Sequence, residues 1–397
     1  MKFCSNTNNA SFFVSVDDIS EDIWQSLNCE NNIYFHRGFL KSIEKNHPEI
    51  VFSYIVLKDK NQQPIALASV QIVNFYIKGI KNDLESLLKR IEQFARKIHV
   101  FPSKKPLRLL ICGNTFVSGE HGIFIKKNHD KKKVIKRLAK AISHLSNSNK
   151  KLKADAYLLK DFTNESLFIT DELKEYYYHP FLVEPNMVLK IDEQWHSFDD
   201  YLAAMKTKFR VKARKAFKQS SSLKIEEVTL KNIEEQLPKM TTLYQKVADN
   251  ADFNLGTFNL SSYTDLKEKL GENYILKTYW LQEKIVGFIS GIITDTSLDA
   301  HFVGIDYTLN REYAIYQRML YDYIEIAIHK KLKTLNYGRT ASEIKSSVGA
   351  YPQDLTMYLR HKKTITNKIL KLFLQRVQPT PFQQKFPFKK IELVNEK

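Results

Sequence analysis

The chain has 397 residues and a mass of 46.5 kDa. This is above the size at which a single hydrophobic core usually stops growing, so its length predicts two domains. Its content of 43% hydrophobic and 26% charged residues excludes a disordered, collagen-like or coiled-coil protein. A net charge of +17 indicates anionic partners.

Three further features narrow the setting. The longest uncharged apolar stretch, Ile285 to Ile293, is much shorter than the roughly 20 residues that span a bilayer. The first residues do not have the pattern of a secretory leader. The three cysteines, Cys4, Cys29 and Cys112, are too far apart for a disulfide framework or a zinc site. We therefore expect a cytoplasmic protein without a metal.

The positive charge is concentrated in three segments. Lys126 to Lys140 contains eight positive residues and one negative, Lys206 to Lys218 contains seven positive and no negative, and Arg360 to Lys397 contains ten positive and two negative. The rest of the chain is slightly acidic, so the basicity is local. It suits a phospholipid surface, an acidic carrier protein, a nucleotide cofactor or RNA. The alternative for each segment is a solvated helix face.

The first half of the chain has the pattern of one α/β unit. Two β-branched and aromatic runs, Ser53 to Leu57 and Ile65 to Phe75, flank a polar turn, which predicts a hairpin. Helical spacing predicts helices over Leu84 to Ile98 and Val134 to Leu145, with a buried strand at Leu107 to Cys112. We expect this N-terminal unit to occupy residues 1–185.

A basic helix precedes the strands predicted for the second unit. Ser197 could cap a helix whose apolar positions continue to Ala213, with lysines and arginines on its opposite face. The second unit, residues 186–362, is predicted to contain a three-strand meander, a helix and a further strand: Tyr274 to Leu281, Ile285 to Thr294, Leu298 to Ile305, about Glu312 to Lys331, and Leu332 to Tyr337.

Residues 363–397 form a basic amphipathic tail. Apolar residues from Ile365 to Val377 fall on one side of a predicted helix, with Lys368, Lys371 and Arg376 beside them. This pattern, followed by an aromatic and basic sequence, is typical of an interfacial membrane anchor. The alternative is a helix packed on the second domain, with its lysines extended along the surface.

Four segments of the second unit, taken in order, resemble a known family. They are Ile285 to Gly291, His301 to Tyr307, Tyr316 to Tyr321 and Leu335 to Lys345. Together with the basic helix they resemble the Fem-like branch of the GNAT (acyl-CoA N-acyltransferase) superfamily over about residues 186–362. The N-terminal half fits as a degenerate first GNAT-like unit. The resemblance implies tandem α/β units, with mixed, mostly antiparallel sheets flanked by helices, and transfer of an acyl group to an amine.

One segment departs from the family pattern. GNAT proteins hold the diphosphate of acyl-CoA on a glycine-containing loop after the fourth strand, where backbone N–H groups are accessible. The equivalent stretch here, Asn310 to Tyr316, contains no glycine. Side chains there would hinder close approach of a diphosphate. The expected co-substrate is therefore an acyl thioester carried by an acyl carrier protein, or by coenzyme A held differently, with no bound cofactor.

Aminolysis of a thioester requires a base, stabilisation of the oxyanion and protonation of the leaving thiolate. His301, in the central strand of the second unit, is the predicted general base, or otherwise a core histidine. Glu343 follows a strand and could accept a proton from the amine or orient His301; the alternative is a surface ion pair. Tyr351 could protonate the thiolate.

The remaining candidates are expected to bind substrate. Lys345 and Arg339, near Glu343, could hold an anionic group. Asp306 and Tyr307 close a strand and either line the same cleft or serve as turn residues. Two arginines of the basic segment, Arg210 and Arg214, complete the set.

Three function classes compete. The first is an N-acyltransferase that acylates an amine, such as a long-chain amino lipid at the inner membrane surface, where the tail would bind anionic lipid. The second is a Fem-like aminoacyltransferase that uses aminoacyl-tRNA and a peptidoglycan precursor, with the basic helix on the RNA phosphates. The third is a non-catalytic binding protein with the same fold. We favour the first.

Overall fold

Two mixed β-sheets flanked by helices organise the protein, and the computed structural model describes residues 5–7, 9–75, 106–250 and 255–389. The predicted α/β class with mostly antiparallel sheets is confirmed. The predicted helix over Leu84 to Ile98 lies outside the described residues. The chain forms two compact units. Unit 1 comprises Met1–Val183, Ala251–Ser262 and Asp354–Pro379, and unit 2 comprises Glu184–Asn250, Tyr263–Gln353 and Thr380–Lys397.

Unit 1 contains one sheet with the strand order β1-β2-β3-β4-β5-β7-β16-β8, in which β6 also pairs with β4. Its strands are β1 Ser5–Thr7, β2 Ala10–Phe13, β3 Val51–Lys58, β4 Pro64–Phe75, β5 Leu107–Cys112, β6 Ile123–Ile125, β7 Ala156–Phe162, β8 His179–Leu182 and β16 Thr356–His361. Its helices are α1 Glu21–Leu27, α2 Arg37–Asn46, α3 Lys131–Ser148, α4 Leu167–Thr170 and α12 Thr364–Leu374.

The hairpin β3–β4 and the crossover β5–α3–β7 form the core of unit 1. The Asp59 side chain accepts hydrogen bonds from the N–H groups of Asn61 and Gln63, both at 2.8 Å, which explains the tight polar turn. β5 is antiparallel to β4 but parallel to β7, so the chain needs a crossover helix between them. That helix is α3, which buries the predicted apolar face, including Leu138 and Ile142, against the sheet.

Unit 2 contains a second sheet with the strand order β10-β11-β12-β13-β14-β9-β15. Its strands are β9 Asn186–Lys190, β10 Leu223–Glu227, β11 Tyr274–Leu281, β12 Lys284–Ile293, β13 Ser297–Ile305, β14 Thr334–Asn336 and β15 Tyr351–Gln353. Its helices are α5 Phe198–Ala204, α6 Thr207–Gln219, α7 Ile233–Asn250, α8 Ser262–Leu270, α9 Tyr307–Tyr313, α10 Ile315–His329 and α11 Ser342–Ser347.

Unit 2 repeats the topology of unit 1. The strands β11, β12 and β13 form the predicted antiparallel meander, and β13 is parallel to β14 after a crossover through α9 and α10. The core lies between this sheet and α10, whose Met319 and Ile324 are fully buried. Each unit therefore contains three antiparallel strands, a helical crossover and a strand parallel to the last of the three.

Two predicted helices are interrupted. Ser197 caps α5 in a capping box with Asp200, as predicted, but the helix ends before Met205, which is extended and forms an isolated bridge with Phe388. The Lys206 N–H donates to the Pro387 carbonyl at 2.7 Å, and a new helix, α6, starts at Thr207. The helix predicted from about residue 312 begins instead at Ile315, after α9 and a left-handed Ala314 with φ 48°.

The boundaries of the units also differ from the predicted ones. Residues 356–361, which fall within the predicted second unit of residues 186–362, form strand β16, and this strand pairs with β7 and β8 in the sheet of unit 1. The expected tail is divided, because α12 belongs to unit 1 while the chain from Thr380 belongs to unit 2. None of the described helices is long and apolar enough to cross a membrane.

Candidate functional site

The sheet of unit 2 opens along β13. The parallel pairing with β14 covers only Ser297, Leu298 and Asp299, although β13 continues to Ile305. Among the described residues, no strand pairs with β13 on this side beyond Asp299. The central strand of the sheet therefore has an open edge, which begins one residue before His301.

Backbone donors line this opening. The N–H groups of Phe302 and Asp306 point towards β12, because they donate to Ser290 Oγ and the Val286 carbonyl, both at 2.9 Å. Since N–H groups alternate in direction along a strand, those of Val303 and Ile305 point towards the open side. Sequence reasoning missed these donors because their identity depends on the strand register.

A β-bulge places His301 at the same position. Ile289 lies opposite Val303 and Gly291 lies opposite Ala300, so His301 and Phe302 together face the single residue Ser290. Bulges of this kind redirect side chains and are common next to active sites. The half-buried His301 ring lies with its centroid 4.3 Å from that of Phe302 and 6.5 Å from that of Tyr274. Its role as general base stays a prediction.

Side-chain caps occupy the helix starts that follow β13. Asp306 caps α9 by accepting hydrogen bonds from the N–H and Oγ1 of Thr308 at 3.2 and 2.7 Å, and these bonds hold the pKa of Asp306 below its usual value. Asn310 Oδ1 accepts from the Tyr316 N–H, at the start of α10, at 2.8 Å. These are turn and cap contacts, and Tyr307 beside them is exposed.

The loop after β14 is held by a buried lysine. Lys345 Nζ donates to the carbonyl groups of Tyr337, Gly338 and Arg339 at 2.9, 3.2 and 2.7 Å. Burial lowers the pKa of Lys345 to about 7, while the three carbonyl oxygens favour its charged form. All three ammonium hydrogens are directed at the backbone, so in this geometry Lys345 fixes the loop instead of presenting a cation to a substrate, as the sequence had suggested.

This loop leads into a cavity of about 540 Å³. Glu343 and Lys385 form an ion pair at 2.9 Å on its wall, and Lys212 of α6 adds a second cation. The other residues of the wall are Ala341, Ser342, Ile344, Ser347 and Phe382. The C-terminal segment is fixed here because the Lys385 N–H donates to Ser346 Oγ at 3.0 Å. The cavity thus combines an apolar wall with both signs of charge.

Comparison with known proteins identifies the family. The model of the FemAB-like family, described as peptidoglycan biosynthesis/recognition, matches residues 109–387. The chain belongs to the FemAB-like family. No curated protein sequence matches it.

The solved structures show the same fold. The crystal structure of FemX is 11% identical, with a TM-score of 0.54, and the match covers 89% of this chain and 99% of FemX. A tandem GNAT protein from the clavulanic acid biosynthesis pathway is 9% identical, with a TM-score of 0.52, and the match covers 89% and 98% of the two chains. The expected tandem GNAT fold of the Fem-like branch is therefore confirmed.

Of the predicted site residues, only Glu343 lines the described cavity of this FemAB-like protein. Tyr351 lies on β15 at the end of the sheet, beside Phe386. Arg339 Nε donates to the Glu184 carbonyl at 2.9 Å, and Arg210 Nη1 donates to the Met205 carbonyl at 3.3 Å. These contacts use backbone acceptors, and the substrate-binding roles of both arginines stay predictions.

The residues that sequence reasoning missed are Lys385 and Phe382. Both had been assigned to the tail, and only the return of the C-terminal segment to unit 2 brings them to Glu343. Lys212 and Arg214 belong to the predicted basic helix, and Arg214 is exposed on α6. In the described part of the chain no salt bridge joins the cations of α6 to an acidic side chain. By contrast, Lys136 of the first basic segment pairs with Glu172.

Proposed function

We propose that this FemAB-like protein is an N-acyltransferase that transfers an acyl group from a carrier-bound thioester to an amine, in unit 2. The observation that carries the proposal is the open side of β13, where the N–H groups of Val303 and Ile305 lie next to the bulge of His301. Two aligned donors beside a titratable ring are the elements that stabilise an oxyanion and accept a proton. Family membership and the GNAT fold support a transferase.

In the proposed reaction the amine nitrogen attacks the thioester carbonyl carbon. The carbonyl oxygen becomes an oxyanion, which the β13 N–H groups stabilise. His301 accepts the proton that the amine loses. The C–S bond then breaks, the thiolate leaves and takes up the proton that His301 accepted from the amine, and the product is an amide. The reaction needs no oxidant, reductant or bound cofactor.

The donor proposed is an acyl carrier protein. A diphosphate at this place in a GNAT fold needs accessible helix-start amides, and here Asp306 and Asn310 accept hydrogen bonds from those of Thr308 and Tyr316. The negative charge of Asp306 would also repel a diphosphate. An acidic carrier protein instead suits the exposed cations of α6, which include Lys208, Lys212 and Arg214.

The acceptor is proposed to approach through the cavity at Glu343. Its carboxylate is more than half exposed and is held by Lys385, so it can exchange this partner for the ammonium group of an acceptor. The apolar wall formed by Ile344 and Phe382 would contact the acceptor's carbon chain. The first acceptor class to test is therefore an amino lipid.

A second candidate is aminoacyl transfer from tRNA to a peptidoglycan precursor. The family description, peptidoglycan biosynthesis/recognition, favours it. The basic face of α6 would then contact RNA phosphates, which predicts transfer rates that fall steeply with salt.

The deciding experiment supplies the purified protein with acyl carrier protein thioester, acyl-CoA or aminoacyl-tRNA, each with and without a pool of amine lipids or a peptidoglycan precursor. Amide products are read by mass spectrometry. Amine-dependent thiol release from the carrier protein supports the proposal. Product from aminoacyl-tRNA alone would move the assignment to the second candidate, and no product from any donor would refute a transferase.

The site is tested with three variants. His301→Ala is expected to lower kcat by about 10²–10⁴-fold, the usual contribution of a general base. Glu343→Gln is expected to raise KM for the amine, because it removes a charge at the acceptor cavity. Glu283→Gln, on the exposed turn between β11 and β12, is the control and should match the wild type. Wild-type kinetics for His301→Ala would show that the chemistry occurs elsewhere.

A further inference from the structure

Helix α12 of unit 1 exposes two large apolar residues to solvent. Ile365 and Leu372 are 71% and 63% exposed, although they are two turns apart on one helix. The face that packs on the unit instead buries Thr366, Asn367 and Leu374. The inner face of the helix, with Thr366, Asn367 and Leu374, is partly polar and packs on the unit. The outer face, with Ile365 and Leu372, is apolar and exposed to water.

The outer face is surrounded by positive charge. Between residues 362 and 377 the chain carries Lys362, Lys363, Lys368, Lys371 and Arg376, and no acidic residue. Tyr177, which is 69% exposed, lies beside the helix because its carbonyl accepts a hydrogen bond from Asn367 Nδ2 at 2.9 Å. Apolar side chains with flanking cations and an exposed tyrosine have the composition of a membrane-interface surface.

A cavity of about 400 Å³ lies at the edge of this surface. Lys174 and Lys371 supply two cations to its wall, and Tyr178 and His179 supply polar atoms. Tyr178 Oη and His179 Nε2 are buried and, among the described residues, have no hydrogen-bond partner. Lys174 also pairs with Asp171 at 2.8 Å. A buried unpartnered hydroxyl and a ring nitrogen beside two lysines fit a ligand that carries both a phosphate and hydroxyl groups.

We propose that unit 1 docks on an anionic phospholipid bilayer through α12, with Ile365 and Leu372 inserted among the acyl chains and a lipid headgroup in the cavity at Lys371. The headgroup phosphate would contact the two lysines, and its hydroxyl groups would contact Tyr178 and His179. Phosphatidylglycerol has this chemistry. The surface differs from the separate tail of residues 363–397 expected from the sequence, because α12 is part of unit 1 and its removal would expose the buried Leu374 contacts.

The test is co-sedimentation of the full chain with vesicles of phosphatidylcholine alone and with 30% phosphatidylglycerol. The wild type is expected to bind only the anionic vesicles, more weakly at high salt. The double variant Ile365→Ser, Leu372→Ser should lower the partition coefficient at least tenfold, and Lys368→Gln with Lys371→Gln by about tenfold. Leu230→Ser and Lys60→Gln, exposed elsewhere, are matched controls that should bind as the wild type does.

Each remaining result overturns the proposal. It is wrong if the wild type stays in the supernatant with anionic vesicles, or if the α12 variants bind as well as the controls. Saturable binding of free glycerol phosphate without vesicle binding would instead show a soluble-ligand pocket. Thermal unfolding shows whether each double variant is folded. If one is not, vesicle binding is measured with the single variant Lys371→Gln instead. No acyl donor is present, so the result is independent of the proposed function.

Discussion

A buried ion pair in unit 1 allows a quantitative test of the structure. The side chains of Lys160 and Asp161, adjacent in β7, are 3% and 0% exposed and contact each other directly. Lys160 Nζ also donates to the carbonyls of Asn114 and Val117 at 3.0 and 2.7 Å, and Asp161 Oδ2 accepts from the Gly119 N–H at 3.2 Å. The pair therefore holds the glycine-containing turn after β5.

Removing one partner should cost far more than removing both. Lys160→Met removes the cation that contacts a buried carboxylate and the donor to two carbonyls, so we expect a loss of about 3–5 kcal/mol of unfolding free energy. The double variant Lys160→Met, Asp161→Asn removes both charges and should recover about 2 kcal/mol of that loss. The control is the surface pair of Lys41 and Asp17, with side chains 53% and 61% exposed, where Lys41→Met should cost less than about 1 kcal/mol.

Urea unfolding followed by tryptophan fluorescence measures these values. Trp24 is buried in unit 1 and reports that unit in a background where Trp195 and Trp280 of unit 2 are replaced by Phe. A loss for Lys160→Met no larger than that for Lys41→Met would contradict a stabilising buried ion pair. The same holds if the separate losses of Lys160→Met and Asp161→Asn simply add in the double variant, because independent sites show no coupling.

Two further predictions concern backbone fit and pH. Gly349 has φ 104°, and a Cβ there would lie 2.5 Å from the Phe388 ring. Gly349→Ala should therefore lower the unfolding free energy, measured by thermal unfolding, by more than about 2 kcal/mol, whereas Gly271→Ala, at φ 54° with no atom nearby, should lower it by about 1 kcal/mol. Equal losses would contradict the packing of the C-terminal segment. Burial lowers the pKa of His47, whose Nε2 accepts a hydrogen bond from the Asn259 N–H at 3.0 Å. As the pH falls, the unfolded chain is therefore protonated at this histidine before the folded chain is. The unfolding free energy should decrease by up to about 1.4 kcal/mol per pH unit below about pH 6.5. His47→Gln should remove this slope, and an unchanged slope would assign it to other groups.

The strands of the two sheets were predictable because their patterns are local. Short, mainly apolar and aromatic runs predict β5 at Leu107–Cys112 and β11 at Tyr274–Leu281, with the same bounds in sequence and structure. The break at Met205 was not predictable, since it depends on a bridge to Phe388, far along the chain. The apolar spacing alone favours one continuous helix there.

The candidate site was predictable only in part, for the same reason. The position of His301 in the central strand follows from the meander, but the bulge opposite Ser290 that redirects it follows from a register that no local pattern specifies. Lys345 has the sequence context of an accessible cation. It is buried because three left-handed residues, Gly338, Thr340 and Ala341, turn the loop so that its carbonyls converge on the ammonium group.

The repeated topology explains why unit 2, and not unit 1, is the proposed site of acyl transfer. In unit 1 the parallel pairing of β5 with β7 continues to Cys112 opposite Leu159. Directly after this pair, the side chain of Lys160 lies against Gly113, so the end of the sheet is filled. The corresponding end of the unit 2 sheet stays open beyond Asp299, although β14 continues to pair with β9 on its other side, where the Tyr337 N–H donates to the Met187 carbonyl.

The same sheet position is therefore filled by a buried ion pair in one unit and lined by backbone donors and His301 in the other. A filled sheet end holds its strands together but leaves no room for a thioester between them. An open one gives up pairing energy, which is the kind of local cost that folds concentrate at functional sites. This difference between two units of equal topology is the structural reason for assigning the chemistry to unit 2.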